Sequence, residues 1–165
     1  MKIKFLSSLL FLVFFNFSYS QTKEETISWL NEKFKSPQQY EEALWTSSRT
    51  FEISYDGNFI VTQYSNYSTG RAKTTYRGNF KNLALNSTTA TKVKSYFYII
   101  AECYNNNACI TQTSYKPDGS LEATYSSSRI FFIPVNQREV GNLEERAPKA
   151  FNHLIKIFGG KKEVF

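Results

Sequence analysis

The sequence predicts an α+β protein with an N-terminal helix, about seven antiparallel strands and a C-terminal amphipathic helix. Apolar residues recur every three to four positions in two segments, 22–35 and 143–158, which is the helical period. Between 49 and 135 the apolar period changes to two, and Gly-containing turns separate the runs. The order of these periods places a strand-rich middle between two helical ends.

The first twenty residues have the pattern of a secretory signal peptide, although a buried N-terminal helix is the alternative. Lys2 and Lys4 precede an apolar run at 5–17, and small residues precede Gln21. The run is short for a membrane-spanning helix, and no second run of spanning length follows. Cleavage before Gln21 leaves 18 basic and 14 acidic residues, a net charge of +4. We therefore expect an exported protein, periplasmic or secreted, without a transmembrane segment.

Three regions follow from this pattern: a signal peptide at 1–20, a helical segment at 21–46 and a strand-rich domain at 47–165. In the helical segment, Thr22 and Glu25 match a capping box. Residues Ile27, Leu30 and Phe34 form one apolar stripe. A short second helix through Trp45 is also predicted, with Ser36 as its N-cap and Pro37 at its first position.

The strand-rich domain is predicted from alternation and from turn residues. Asp56-Gly57 joins two alternating runs, and Pro117-Asp118-Gly119 marks another turn. The longest predicted strand covers 93–104, with residues 105–107 as its turn into a returning strand. Segments 67–75 and 86–92, which are rich in Ser, Thr and Asn, are predicted to be exposed loops.

The C-terminal helix is predicted to close the domain. Asn142 and Glu145 are a second cap pair, Pro148 suggests a kink, and Gly159-Gly160 ends the helix. About seven strands closed by such a helix resemble the pleckstrin-homology-like (PH-like) barrel. The ending K-A-F-N-H-L-I-K-I-F-G-G-K at 149–161 also resembles that of small, uncharacterised secreted bacterial proteins, and it implies no particular activity. A lipocalin-like small β-barrel is the alternative fold.

Phosphoinositide binding is not expected from the PH-like resemblance. Members of that class which bind phosphoinositides usually carry basic residues around the first hairpin. Here that hairpin, at 54–59, has no Lys or Arg.

Cys103 and Cys109 are predicted to form a disulfide. If Tyr104 pairs with Ala108 across the turn, the two cysteines face each other at a distance that a disulfide spans. A redox-active pair or two unpaired thiols are the alternatives. Neither thiol has the C-x-x-C spacing or a neighbouring cation that would activate it.

Catalytic and metal sites are not predicted. Both Asp56 and Asp118 precede Gly in turns, the chain has one histidine (His153), and two cysteines alone cannot hold zinc. The protein is therefore expected to be no enzyme and to need no cofactor. An enzyme of unrecognised type remains an alternative, and nucleic acid is not an expected partner.

The remaining hypothesis is a non-catalytic binding module for a protein or an extended ligand, acting through a strand face or a barrel edge. A structural or assembly component of the cell envelope is the alternative. Strand tyrosines suit carbohydrate, peptide or protein contacts, although cross-strand packing also explains them. The lysines near the C-terminus suit an acidic partner such as a lipid or polysaccharide, or form a solvated helix end. The predicted surface comprises Tyr96, Tyr98, Tyr104, Lys156, Lys161 and Lys162.

Overall fold

A computed structural model of the chain describes residues 21–34, 47–93, 96–133 and 142–162. The predicted signal peptide and the second N-terminal helix lie outside these ranges. The described elements, in chain order, are α1 (Lys23–Phe34), β1 (Ser47–Ile53), β2 (Asn58–Tyr67), β3 (Gly70–Asn79), β4 (Thr89–Val93), β5 (Tyr96–Glu102), β6 (Ile110–Tyr115), β7 (Leu121–Ser127), β8 (Arg129–Phe132) and α2 (Leu143–Ile157). The α+β class is confirmed.

The strands form two antiparallel sheets, and the chain passes between the sheets at a shared corner. The five-stranded sheet has the order β1-β2-β3-β6-β7, and the three-stranded sheet has the order β4-β5-β8. The chain crosses between the sheets three times, from β3 to β4, from β5 to β6 and from β7 to β8. At the corner the Cys103 amide donates a hydrogen bond to the Ser128 carbonyl at 2.7 Å, which ties the last two crossings together.

Two predicted loops are wrong, because both segments contribute strands. Segment 67–75 contains the start of β3, and segment 86–92 contains most of β4. Ser- and Thr-rich segments fit loops by polarity, but β-branched Thr also favours the pleated backbone of a strand. The predicted strand over 93–104 is shorter, since Val93 belongs to β4 and pairs with Tyr96.

The predicted closed barrel is not established by these two sheets. Between the described strands no backbone ladder joins β1, at one edge, to β8, at another. The two edges do meet through side chains: Arg49 Nη1 donates to the Phe131 carbonyl at 3.4 Å, and the rings of Phe51 and Phe132 lie 5.3 Å apart. The PH-like barrel therefore stays a prediction.

An aromatic cluster forms the core between the sheets and the two helices. The Phe151 ring of α2 stacks on Phe132 of β8 at 4.5 Å and meets Phe34 of α1 edge-on at 5.3 Å. The predicted stripe of α1 is confirmed, because Ile27, Leu30 and Phe34 are buried. The apolar face of α2 is likewise buried; it comprises Ala147, Ala150, Phe151, Leu154 and Ile155.

The predicted helix ends are mostly confirmed. The Glu25 amide donates to Thr22 Oγ1 at 3.1 Å, and the Thr22 amide donates to Glu25 Oε2 at 2.9 Å, as a capping box requires. Asn142 does precede α2, but its side chain makes no capping hydrogen bond. Helix α2 continues through Pro148 and ends before Gly159, whose φ of 85° suits glycine.

Helix α1 also provides hydrogen-bond partners for backbone groups of β1 at the edge of the sheet. This contact can be tested. Asn31 Nδ2 donates to the Ile53 carbonyl at 3.1 Å, and the Ile53 amide donates to Asn31 Oδ1 at 2.9 Å. The amide side chain thus replaces a neighbouring strand at this position. Because Asn31→Ala leaves both backbone groups unpaired, we expect unfolding free energy to fall by about 1–3 kcal/mol in urea denaturation.

Ser28→Ala is the matched control, since Ser28 is an exposed polar residue of the same helix. We expect it to change the unfolding free energy by less than about 0.5 kcal/mol. Equal losses in the two variants would contradict the edge-pairing role of Asn31.

Candidate functional site

The central strand of the five-stranded sheet carries three cations on the face turned away from the core. Strand β3 pairs with β2 and β6, so it has neighbours on both sides. Because side chains alternate along a strand, Arg71, Lys73, Thr75 and Arg77 lie on one face. Their register partners on β2 are the residues that alternate with the buried core residue Val61, so they lie on the other face of the sheet from Val61. Arg77 is exposed. The three cations therefore face outward.

Tyrosine rings hold two of these cations in place. The Arg71 guanidinium carbon lies 4.0 Å from the centre of the Tyr64 ring, and Lys73 Nζ lies 5.6 Å from the centre of the Tyr115 ring. Lys73 is the register partner of both tyrosines, one on each neighbouring strand. Cation–π attraction of about 0.5–1 kcal/mol per exposed pair restricts these long side chains. We call Arg71, Lys73, Arg77, Tyr64 and Tyr115 the β3 face.

A row of threonines crosses the sheet between Lys73 and Arg77. One threonine from each of the five strands lies in register with the next, so the row runs across the whole sheet. Cross-strand pairs of this kind stabilise a sheet by roughly 0.2–1 kcal/mol each. The central Thr75 is 2% exposed, and its hydroxyl has no hydrogen-bond partner within the described ranges. The row comprises Thr50, Thr62, Thr75, Thr113 and Thr124.

The β3 face was not predicted from the sequence, because part of β3 was assigned to a loop. The available signal was alternation of charge rather than of apolar residues: Arg71, Lys73 and Arg77 occupy odd positions around Thr75. The alternate positions Ala72, Thr74 and Tyr76 carry no large aliphatic side chain, so a search for apolar alternation passes over this segment.

Two of the predicted surface residues, Tyr104 and Lys161, come together. Lys161 Nζ lies 5.5 Å from the centre of the Tyr104 ring. The chain after α2 reaches this position because the Leu85 amide donates to the Lys161 carbonyl at 2.9 Å, beside the Leu83–Cys103 bridge. Lys156 and Lys162 are exposed, and both are close to Lys161 in the sequence. We call Lys156, Lys161 and Lys162 the helix-end lysines.

The other predicted surface residues do not join that contact. Tyr98 lies on the three-stranded sheet, where its ring meets the Phe131 ring edge-on at 5.6 Å. The side chain of Tyr96 lies outside the described residues. Cross-strand packing, which the sequence analysis kept as an alternative, accounts for Tyr98.

The predicted disulfide is confirmed, with Cys103 and Cys109 joined by an S–S bond of 2.04 Å and Cα atoms 5.8 Å apart. The predicted route to it was wrong, because β5 and β6 belong to different sheets and do not form a hairpin. The bond instead closes residues 103–109 where the chain leaves one sheet for the other. Asn105 and Asn106 have positive φ values of 54° and 53°, a backbone conformation that Asn adopts more readily than most residues.

The two aspartates serve turns. A hydrogen bond from the Ser54 hydroxyl, aided by the Asn58 amide, lowers the pKa of Asp56. Hydrogen bonds from the hydroxyl and the amide of Ser120 lower the pKa of Asp118. These hydrogen bonds are made within the turns themselves, so the turns account for both aspartates.

The single histidine also has a structural partner. His153 Nε2 lies 3.0 Å from the carbonyl oxygen of Gln21, so α2 is tied to the backbone two residues before α1. No group of three or more His, Cys, Asp or Glu side chains that could hold a metal ion occurs in the part of the chain that the structure describes. In that same part, neither helix is long and apolar enough to cross a membrane.

Comparisons with known proteins give one partial match. No protein-family model matches the chain, and no solved structure matches it. Over 65 residues the sequence is 38% identical to a glutamate–cysteine ligase of Wigglesworthia glossinidia brevipalpis, a match that covers 38% of this chain and 13% of that protein. The chain thus spans about an eighth of the ligase, and the match is too partial to show a family or an activity.

Proposed function

We propose that the protein is an exported, non-catalytic binding module that holds an extended ligand on the β3 face. The observation that carries the proposal is the pair of cations held over tyrosine rings on the central strand. Cations restricted before binding lose less conformational entropy when a ligand arrives. Stability alone does not explain the array, because like charges about 6.8 Å apart on one face of a strand lie within the Debye length and repel each other.

A non-catalytic role is supported by the use of the reactive side chains. Both aspartates accept hydrogen bonds within turns, both cysteines share one disulfide, and His153 contacts the Gln21 carbonyl. Acid–base or nucleophilic catalysis needs such groups to converge on one site.

Export is supported by the signal-peptide pattern of residues 1–20 and by the disulfide. Disulfides persist in oxidising compartments and are rare in the cytosol. A PH-like barrel closed between β1 and β8 is compatible with this role, since the Arg49–Phe131 hydrogen bond joins the edges of these two strands. Closure there would leave the β3 face, on the opposite side of β2, open to solvent.

The proposal is tested by two variants of equal charge change. The β3-face variant is Arg71→Gln/Lys73→Gln/Arg77→Gln, and the helix-end variant is Lys156→Gln/Lys161→Gln/Lys162→Gln. Each removes three positive charges, so a general effect of net charge is the same in both. The measurement is the fraction of purified protein that co-sediments with the cell-envelope fraction of the source organism.

We expect the β3-face variant to lose most of its co-sedimentation and the helix-end variant to keep it. Thermal denaturation checks that both variants fold. Loss confined to the helix-end variant would place binding at the Tyr104–Lys161 contact and contradict the proposal, as would equal retention in both variants.

A further inference from the structure

We infer that the ligand of the β3 face is an acidic polysaccharide, which rests on the binding function proposed above. The length of the cation array favours an extended ligand. Residues on one face of a strand repeat about every 6.8 Å, so Arg71 and Arg77 are about 20 Å apart along β3. A single small anion cannot contact all three cations, whereas a chain with repeated carboxylates can.

The surroundings of the cations are polar. Thr62 and Thr113, half-buried, flank the buried Thr75 on the neighbouring strands, and the rings of Tyr64 and Tyr115 lie beside two of the cations. Hydroxyl groups donate and accept hydrogen bonds, as sugar hydroxyls do. The face thus combines charge for carboxylates with partners for the uncharged part of a sugar ring.

The separation of the exposed apolar side chains distinguishes a polysaccharide from other polyanions. Ile60 of β2, the register partner of Arg77, is 37% exposed, and Leu121 of β7, the register partner of Tyr115, is 61% exposed, so these apolar side chains lie on separate strands on either side of the cations. Membrane insertion and protein hot spots need larger apolar anchors. Single-stranded nucleic acid stacks its bases on aromatic rings, but Arg71 and Lys73 lie over Tyr64 and Tyr115.

Binding of defined polymers tests the inference by calorimetry at several salt concentrations. The probes are polygalacturonate, neutral dextran of similar length, double-stranded DNA and phosphatidylglycerol vesicles. We expect polygalacturonate to bind with an affinity that falls as salt rises, and dextran not to bind. An exposed charge pair contributes a factor of about two to five, so the β3-face variant should bind about ten- to a hundredfold more weakly. The helix-end variant should stay within about twofold.

Each other outcome overturns the inference in a distinguishable way. No binding of polygalacturonate, or tighter binding of DNA or vesicles, rejects the ligand class. Dextran binding that the β3-face variant loses also rejects it, but leaves the proposed binding face standing. Equal loss of polygalacturonate binding in both variants means that net charge alone attracts the polymer. If the two variants also co-sediment equally with the envelope fraction, the proposed function itself fails.

Discussion

Phe151→Ala is expected to lower the unfolding free energy by about 3–5 kcal/mol, the largest effect of any single change considered. Phe151 is fully buried and lies where both helices and both sheets meet. Its ring contacts four other phenylalanines, which are Phe34, Phe51, Phe80 and Phe132. Truncation to Ala would therefore leave a cavity that no single element can close by moving.

Urea denaturation followed by near-ultraviolet circular dichroism measures this loss. The control is Phe131→Ala on the neighbouring position of β8, because the Phe131 side chain points to the other face and is 40% exposed. We expect the control to lose about 1 kcal/mol or less. Similar losses for the two phenylalanines would mean that the aromatic cluster does not hold the sheets and helices together.

Removal of the disulfide by Cys103→Ala/Cys109→Ala is expected to cost about 2 kcal/mol or somewhat more. The chain-entropy model gives about 2 kcal/mol for so short a loop. Cys103 is also fully buried, and its amide bonds the Ser128 carbonyl where the chain crosses between sheets. The bond thus constrains the corner that both sheets share.

Mass spectrometry and denaturation together check this prediction. The native protein should resist alkylation without reductant, and the wild type unfolded and refolded under reducing conditions should match the stability of the double variant. Alkylation of both cysteines in the untreated protein would contradict the disulfide. Equal stability of the oxidised protein and the double variant would contradict its role at the corner.

Local signals explain which parts of the fold could be predicted. The capping box at Thr22 and Glu25, the apolar stripe of α1 and the turn at Gly119 depend on residues close in sequence. The two-sheet arrangement depends on contacts between distant strands, such as β3 with β6, which no local period encodes. The division of the strands between two sheets and the corner at Cys103 were therefore not predictable.

The binding surface illustrates the same limit. Tyr104 and Lys161 were predicted together as surface residues, and their contact arises from the return of the chain after α2 to Leu85. Arg71 and Lys73 were passed over, because only the register of β3 with β2 and β6 brings each cation to a tyrosine ring. Pairing across strands, rather than residue type, defines the β3 face.

Residue-resolved NMR during titration with polygalacturonate tests the central claim most directly. Binding on the β3 face predicts the largest amide shifts in 71–77, with smaller shifts in the neighbouring segments 62–66 and 111–115. Largest shifts in 156–162, or around Tyr98 and Phe131, would contradict the account and place the ligand elsewhere.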